Sequence, residues 1–267
     1  MILNVEGASF SYDGVTKQFE DISFSLGRGE VLSLLGRNGT GKSTLIRCIL
    51  NVITPQCGKV EINGRRITGM RPDEIAREVG YVPQVHHAAF PFTAFDFALM
   101  GRAPHIAIFS VPDEIDCEKV EEAFTRIGIS HLRDKCISEM SGGESQMVMI
   151  ARALAQEPSV LILDEPTSHL DIGNQMKVIA TIDQLAADGI AILMSTHFPD
   201  HGFMISHSVA ILEDGRLIAK GPAEDVITKE NLLEAYGIDV CIRYIEEANR
   251  MVCIPICPYT CRGRERT

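Results

Sequence analysis

Residues 31–43 read Val-Leu-Ser-Leu-Leu-Gly-Arg-Asn-Gly-Thr-Gly-Lys-Ser, and the fold class follows from them. Val31–Leu35 is typical of a strand that is buried on both faces. The next eight residues, from Gly36 to Ser43, match the pattern G-x-x-x-x-G-K-[ST], and a helical pattern follows from Lys42 to about Val52. A glycine-rich loop between a buried strand and a helix indicates phosphate binding and predicts an α/β fold.

Each residue type in this loop suits a phosphate ligand. Glycines let the chain curl so that successive N–H groups surround an anion, and the helix that begins near Gly41 directs its positive end to the same point. Lys42 supplies a cation for the β- and γ-phosphates, and the Ser43 hydroxyl suits Mg²⁺. The alternative is a glycine-rich turn with an incidental lysine. We expect the following residues to bind ATP: Gly36, Arg37, Asn38, Gly39, Thr40, Gly41, Lys42, Ser43 and Thr44.

A second apolar run, Val160–Leu163, ends in the two carboxylates Asp164 and Glu165. The carboxyl end of a strand is the edge at which α/β sheets bind ligands. We expect Asp164 to hold Mg²⁺ through water and Glu165 to accept a proton from the attacking water, a role that typically contributes about 10²–10⁴-fold to the rate. The alternative is a polar exit from the strand.

Strand and helix patterns alternate along most of the chain, which predicts a largely parallel sheet with helices on its faces. Residues 1–267 are expected to form one domain, with a helical subdomain at about 86–157 and a C-terminal extension at about 222–267. Other strands are expected at Ile22–Leu26, Lys59–Ile62, Gly80–Val82 and Ile190–Met194. Helices are expected at Gly173–Ala187 and Ala223–Tyr236, and Asp214-Gly215 indicates a hairpin between Val209–Leu212 and Arg216–Lys220.

The composition limits the classes of function. The chain has 267 residues and a net charge of −11, which argues against binding nucleic acid through its phosphates. Its apolar runs are strand-sized, whereas a membrane span needs about 20 mostly apolar residues. We therefore expect no nucleic-acid partner, and we expect any work at a membrane to be done through a partner chain.

Ser141-Gly142-Gly143-Glu144 precedes a predicted helix over Ser145–Gln156. One interpretation is a capping box, in which the serine and the glutamate satisfy each other's free N–H groups. The other interpretation is that glycine-lined N–H groups at a helix start face a phosphate. Both can hold together.

Taken with these motifs, the sequence resembles the ABC ATPase family over essentially its whole length. Met140-Ser-Gly-Gly-Glu144 looks like the family signature Leu-Ser-Gly-Gly-Gln. The resemblance implies a P-loop NTPase fold: a mostly parallel sheet core with an N-terminal antiparallel β subdomain and an inserted helical subdomain. It also implies a homodimer that sandwiches two ATP molecules, in which Ser141, Gly142 and Gly143 contact the ATP of the second copy.

The same resemblance implies roles for four further residues. Tyr12 resembles the aromatic that stacks on adenine, although a core or surface tyrosine is an equal alternative. Gln84 resembles the glutamine that reaches Mg²⁺ and the attacking water, and His197 resembles the histidine that contacts the γ-phosphate. Ser168–Asp171 resembles the loop that communicates across the dimer in that family. The implied catalytic set is Glu165, His197, Gln84 and Lys42, and the implied Mg²⁺ ligands are Ser43, Gln84 and Asp164.

One departure from the family concerns the helix that follows the signature. Ser145 and Met147 stand where many relatives carry arginine. The start of this helix is therefore less basic than usual, which weakens the electrostatic support for a phosphate there. We expect hydrolysis without a partner to be slow.

Two segments, Thr93–His105 and Tyr236–Val240, are similar to importers of iron-siderophore complexes, haem and cobalamin. This resemblance implies membrane permease subunits, a periplasmic or extracellular substrate-binding protein, and a peripheral location on the cytoplasmic face of the cell membrane. An exporter ATPase and a soluble ABC ATPase acting on DNA or ribosomes are the alternatives. Four phenylalanines are expected to form a docking groove or, for two of them, the core: Phe90, Phe92, Phe95 and Phe97.

The C-terminal region is rich in cysteine, with Cys241, Cys253, Cys257 and Cys261 close together. A metal or redox site is one interpretation, although a step of four residues is unlike the C-x-x-C pairs of common zinc sites. Incidental reduced thiols are the alternative.

Overall fold

A computed structural model describes residues 1–84, 91–107 and 109–256. The strands in these ranges are β1 (Leu3–Ser11), β2 (Lys17–Leu26), β3 (Val31–Leu35), β4 (Cys57–Ile62), β5 (Arg65–Arg66), β6 (Val79–Val82), β7 (Val160–Asp164), β8 (Ala191–Thr196), β9 (Ser208–Glu213), β10 (Arg216–Gly221), β11 (Val240–Ile245) and β12 (Arg250–Pro255). The α-helices are α1 (Lys42–Ile49), α2 (Pro72–Glu78), α3 (Ala94–Leu99), α4 (Glu114–Arg126), α5 (Gly142–Leu154), α6 (Ile172–Ala187), α7 (Pro199–Ile205), α8 (Ala223–Val226) and α9 (Lys229–Tyr236).

The central sheet has six strands in the order β10-β9-β3-β8-β7-β6, and β10 alone of these runs antiparallel to its neighbour. Every residue of β3, β7 and β8 is buried, as expected for strands that are covered on both faces. The α/β fold with a mostly parallel core is therefore confirmed.

A second, antiparallel sheet in the order β2-β1-β4-β5 covers one face of the core. Buried and more exposed side chains alternate along its strands. In β2, Ile22, Phe24 and Leu26 point inward and are buried. Together with α1 they form one hydrophobic core against the central sheet. This is the predicted antiparallel β subdomain, and the alternation of apolar residues in the sequence places its inner face correctly.

Helices α3, α4 and α5 form a helical lobe on the opposite face of the central sheet. Arg102 is buried within it, and its guanidinium donates to Asp116 Oδ1 at 2.9 Å and to the carbonyl of Ala155 at 2.7 Å. Phe97 is buried, and Phe92 and Phe95 are partly buried against the same core. The core interpretation therefore holds for these three phenylalanines. Phe90 lies outside the described residues.

The C-terminal part differs from the prediction of one helix over Ala223–Tyr236. The helix breaks between α8 and α9, because Thr228 caps a new helix by accepting a hydrogen bond from the Asn231 amide at 3.2 Å. The predicted end at Gly237 is confirmed, with φ +69°. Beyond it, β11 and β12 pair as an antiparallel hairpin that the sequence analysis did not predict. We call this pair the C-terminal hairpin.

The C-terminal hairpin separates Cys241 and Cys253, the two cysteines of the C-terminal cluster that the structure describes. Ile242 pairs with Cys253, so these two side chains share one face, and Cys241 projects from the other. Burial raises the pKa of Cys253 to about 11, which keeps it a neutral thiol. This geometry gives no support to a metal site shared by the two. Cys257 and Cys261 lie outside the described residues.

Two further results concern the described residues as a whole. None of their helices is long and apolar enough to cross a lipid bilayer. No group of three or more histidine, cysteine, aspartate or glutamate side chains within 1–84, 91–107 and 109–256 is arranged to hold a metal ion.

Candidate nucleotide site

The candidate site lies at the carboxyl ends of four neighbouring parallel strands. In spatial order these strands are β3, β8, β7 and β6. They are followed by the phosphate loop (residues 36–43), by His197, by Glu165 and by Gln84, respectively. Four segments that are far apart in the sequence therefore meet at one edge, which is where α/β sheets place their ligands.

Two glycines of the phosphate loop cannot be replaced without distortion. Gly36 has φ +155°, and a Cβ there would lie 2.4 Å from the carbonyl oxygen of Leu212. Gly41 has φ +104°, and a Cβ there would lie 2.4 Å from the carbonyl oxygen of Gln18. The loop thus takes its shape because other backbone segments approach it closely and because glycine tolerates these angles.

Lys42 is buried at the base of this loop. Its ammonium group donates to the carbonyl oxygens of Gly36 at 2.6 Å and Arg37 at 2.9 Å, and it lies 3.9 Å from Glu165 Oε1. Burial lowers the pKa of Lys42, and the Glu165 carboxylate opposes that shift. The site therefore pairs a buried cation with a buried anion beside a phosphate cradle.

Glu165 is 7% exposed and is held from several directions. Its Oε2 accepts hydrogen bonds from Gln84 Nε2 and Ser168 Oγ, each at 2.9 Å, and His197 Nδ1 lies 3.3 Å away. Its backbone has φ +50°, a conformation that a non-glycine residue rarely adopts. The structure therefore brings together Glu165, Gln84, His197 and Lys42, as the sequence analysis expected.

Ser195 contributes to the site, although the sequence analysis did not single it out. Its hydroxyl donates to Asp164 Oδ1 at 2.5 Å and accepts from the backbone N–H of Glu165 at 2.9 Å. One side chain from β8 thus orients the carboxylate of Asp164 and holds the backbone of Glu165 at the end of β7. Its one visible signal in the sequence is its position two residues before His197 at the end of a buried strand.

Two cavities flank the phosphate loop. One, of about 360 Å³, is lined by Gln18, Asn38, Gly39, Gly41, Lys42, Ser43, Thr44, Gln84 and Glu165. The other, of about 520 Å³, is lined by Thr16, Lys17, Gln18, Arg37, Asn38, Gly39, Thr40, Glu213, Asp214 and Gly215. Gln18 borders both and was missed from the sequence. Tyr12 lines neither: it is exposed, and its ring packs edge-on against Phe10 at 4.9 Å between centroids.

The donor set at the first cavity fits a magnesium ion bound together with a nucleotide. Ser43 and Gln84 line this cavity, and Asp164 precedes Glu165, which also lines it. Together they offer a hydroxyl, an amide oxygen and one carboxylate. Mg²⁺ prefers oxygen ligands and is usually held by one or two carboxylates, substrate phosphates and water.

Ser141–Gly143 forms the start of α5, away from the phosphate cavities. Ser141 Oγ accepts from the Glu144 amide at 3.3 Å, and Glu144 Oε2 accepts from the Ser141 amide at 2.8 Å, which confirms the capping box. Lys135 donates to the Glu144 carboxylate at 2.8 Å and, as the largest cause, lowers the pKa of Glu144 to about 2. No described residue lining the two cavities comes from Ser141–Gly143.

Asp171 connects the start of α6 to this segment. Its carboxylate accepts from the backbone amide of Asn174 at 2.8 Å and from the Asn174 side chain at 2.7 Å. A Cβ at Gly143 would lie 2.4 Å from Asn174 Cγ, so the two helix starts are in close contact there. Asp171, like Ser141, Gly142 and Gly143, lines neither of the two cavities.

Comparisons with known proteins agree with this geometry. The profile of the family described as "ABC transporter" matches residues 19–168. The hemin import ATP-binding protein of Nocardia farcinica is 36% identical over 81% of this chain and 75% of its own length. The iron(3+)-hydroxamate import ATP-binding protein of Bacillus subtilis is 33% identical over 88% of each chain. An inward-facing, metal-chelate type ABC transporter structure superposes with a TM-score of 0.85 at 30% identity, covering 96% of this chain and 97% of the other.

Proposed function

The chain belongs to the ABC transporter family and is an ATP-binding, ATP-hydrolysing subunit, and from this premise we propose that it drives import of a metal chelate through a separate membrane permease. The Nocardia farcinica and Bacillus subtilis relatives carry import names for hemin and iron(3+)-hydroxamate, which supports import over export. The similarity to a metal-chelate type transporter over 96% of the chain supports the same class of cargo.

The observation that carries the catalytic assignment is the set of contacts on Glu165. Gln84 and Ser168 donate hydrogen bonds to one of its oxygens, and His197 lies beside the same oxygen. The other oxygen faces Lys42 at 3.9 Å. A base held in this way is oriented before substrate arrives, so little reorganisation is needed during the reaction.

We infer the following chemistry at this site. A water oxygen attacks the γ-phosphorus of ATP, the bond to the β–γ bridging oxygen breaks, and Glu165 takes the proton from the water. Lys42 and the N–H groups of the phosphate loop stabilise the negative charge on the β- and γ-phosphates. His197 contacts the γ-phosphate, and Gln84 orients the attacking water. Phe10 holds Tyr12 at the outer surface for stacking on adenine.

Ser43, Gln84 and Asp164 are the residues that would hold Mg²⁺. When bound, the ion neutralises charge on the β- and γ-phosphate oxygens. Ser195 keeps Asp164 oriented through its 2.5 Å hydrogen bond, so the carboxylate does not have to be ordered when the ion enters.

We further propose a homodimer in which each copy completes the other's site. Ser141, Gly142 and Gly143 line neither phosphate cavity of their own chain, and the first two are exposed. In the dimer their N–H groups meet the γ-phosphate held by the second copy, and Asp171 supports them through Asn174. This arrangement explains why a capped helix start carries two glycines.

After ATP and a second copy of the chain, a membrane permease is the third partner that we propose, and a groove on the surface supports it. It has a volume of about 580 Å³ and is lined mainly by apolar side chains, among them Val52 after α1, Ile75 and Ala76 of α2, and Tyr81 of β6. We propose that it receives a segment of the permease, which places the chain at the cytoplasmic face of the membrane. A binding protein on the other side delivers the cargo in the full complex.

The test of this proposal is the variant Glu165→Gln, which keeps the size of the side chain and removes the base. We expect it to bind ATP, to form a stable dimer, and to hydrolyse ATP at least about 10²-fold more slowly than wild type. Dimerisation is measured by sedimentation in the presence of ATP. Adding Ser141→Arg to the same variant should return it to a monomer. Near-normal hydrolysis by Glu165→Gln, or an ATP-bound monomer, would contradict the proposal.

A further inference from the structure

We propose that the C-terminal hairpin positions His197 for ATP hydrolysis, and that Asp200 is the positioning residue through which it acts. This inference rests on the proposed roles of His197 and Glu165 and goes beyond them, because it gives a catalytic consequence to a segment that contributes no residue to the nucleotide cavities.

The first link joins the C-terminal hairpin to α7. Asp200 Oδ1 accepts a hydrogen bond from the backbone N–H of Cys253 at 3.0 Å. The same oxygen lies 3.4 Å from Nη1 of Arg250, which makes a partly buried ion pair. Asp200 lies in the first turn of α7, only three residues after His197, so β12 is fixed directly to the segment that carries the histidine.

The second link runs from α7 to His197. His201 Nδ1 lies 3.1 Å from Thr196 Oγ1, and the same hydroxyl oxygen accepts from the Phe198 amide at 3.1 Å. The Phe198 ring packs against His197 at 4.1 Å and against His201 at 5.2 Å between centroids. The contacts of His201 with Thr196 and Phe198 therefore fix residues 196–198 against α7, and His197 belongs to this segment.

His197 depends on this packing because its own polar contacts are weak. Its Nδ1 is buried and has no hydrogen-bond partner, although Glu165 Oε2 lies within 3.3 Å. No directional bond therefore fixes this nitrogen, and the neighbouring rings and backbone set the distance from His197 to Glu165. A shift of α7 would change that distance directly.

Apolar packing also joins the C-terminal hairpin to the neighbourhood of the site. Val240 and Cys253 of the C-terminal hairpin share a hydrophobic core with Leu35, the last residue before the phosphate loop, and with Phe203 of α7. The C-terminal hairpin thus shares one hydrophobic core with β3, which leads into the phosphate loop, and with α7, which follows His197. Asp200 provides its hydrogen-bonded connection to α7.

Three substitutions in the full-length chain test this inference. Asp200→Ala removes the acceptor for Cys253 and Arg250, whereas Asp200→Asn retains an amide oxygen that can accept from the Cys253 amide. Asp239→Ala is the matched control, because Asp239 lies in the same C-terminal region and its carboxylate pairs with Lys229 at 3.4 Å. Each variant is assayed for ATP affinity, kcat and thermal midpoint.

We expect Asp200→Ala to lower kcat by at least about tenfold while ATP affinity stays at the wild-type value, because a small displacement near a reacting centre lowers rate more than binding. Asp200→Asn should recover most of the loss, and Asp239→Ala should behave as wild type. His197→Ala is measured alongside and should lose hydrolysis.

Two results would overturn the inference. One is unchanged kcat in Asp200→Ala while His197→Ala is inactive, because the histidine would then matter without its connection to the C-terminal hairpin. The other is a parallel loss of kcat, ATP affinity and thermal midpoint, which would make Asp200 a general structural residue. A fully active His197→Ala would instead show that the catalytic assignment itself is wrong.

Discussion

At the scale of single residues, Lys42 has the most consequential environment. It is 5% exposed, its ammonium group donates to two carbonyls of the phosphate loop, and it faces Glu165. A buried carboxylate without a cation is costly, so the pair also stabilises the site before nucleotide binds. Lys42 therefore stabilises the conformation of the phosphate loop, and it supplies positive charge for the phosphates.

We predict that Lys42→Ala weakens ATP binding and lowers kcat by at least about 10²-fold, because it removes a preorganised cation from the phosphates. Nucleotide affinity from titration calorimetry and steady-state hydrolysis measure the two effects. Lys59→Ala is the control, since Lys59 pairs with Glu6 at 3.0 Å on the antiparallel sheet, away from the site. A Lys42→Ala enzyme with wild-type turnover would contradict the assignment.

Tyr12 gives the second prediction at the scale of single residues. Its ring is exposed and packs edge-on against Phe10, and we propose that it stacks on adenine. We expect Tyr12→Ala to weaken ATP binding by about 1–3 kcal/mol, by analogy with base–aromatic stacking. Tyr12→Phe keeps the ring and should bind ATP as wild type does. Equal affinities for all three proteins would refute stacking.

At the scale of elements, the start of α5 has the structural role of a capping box beside its proposed contact with a second copy. The capping box of Ser141 and Glu144 satisfies the free N–H groups at the helix start, and Lys135 neutralises the glutamate. The less basic helix start noted in the sequence is thus partly offset by a lysine from a preceding segment. Slow hydrolysis without a partner stays a prediction.

Helix α7 makes stability depend on pH through His201. This histidine is 4% exposed, and burial lowers its pKa to about 4. The unfolded chain binds a proton near pH 6.5 and the folded chain does not until about pH 4, so the stabilising effect is present above 6.5 and is lost as pH falls.

We therefore predict that the free energy of unfolding falls between pH 6.5 and 4.5 with a slope of up to about 1.4 kcal/mol per pH unit from this one group. Urea denaturation across that range measures the slope. His201→Gln can keep the contact with Thr196 and should flatten the dependence, whereas the same change at the exposed His131 serves as control. An unchanged slope in His201→Gln would show that other groups govern this range.

At the scale of the whole molecule, we propose separate surfaces for three partners. The phosphate cavities are proposed to bind ATP, the start of α5 to face a second copy, and the groove beside α2 to receive the permease. The groove lies close in the chain to the nucleotide site, because Tyr81 and Pro83, which line the groove, lie three residues and one residue before Gln84. A permease segment bound in this groove would contact the strand that leads to Gln84.

We predict that Ala76→Lys, which places a charge inside the groove, abolishes permease-stimulated hydrolysis and co-purification with the permease. The isolated chain should hydrolyse ATP as wild type does, because Ala76 lines neither phosphate cavity. Ala187→Lys, at the exposed end of α6, is the matched control and should remain stimulated. If Ala76→Lys is stimulated normally, the permease docks elsewhere.

The sequence by itself determined the parts of this protein that are contiguous in the chain. The strand–loop–helix around Lys42, the carboxylates that end β7 and the capping box at Ser141 each occupy a few consecutive residues. Local geometry fixes such units, because the spacing of glycine, lysine and serine in a loop already places their groups around one point. The alternation of strand and helix patterns then predicted a largely parallel sheet, and the family resemblance implied the two subdomains.

Only the tertiary structure decided which distant groups support those units. Ser195 donates a hydrogen bond to Asp164, which is 31 residues away in the sequence. Lys135 donates to Glu144 across nine residues, and Asp200 accepts from Cys253 across 53 residues. The broken C-terminal helix and the hairpin after it were also decided there. Such contacts depend on how strands and helices pack, and packing is set by the burial of all the apolar faces together rather than by any local pattern.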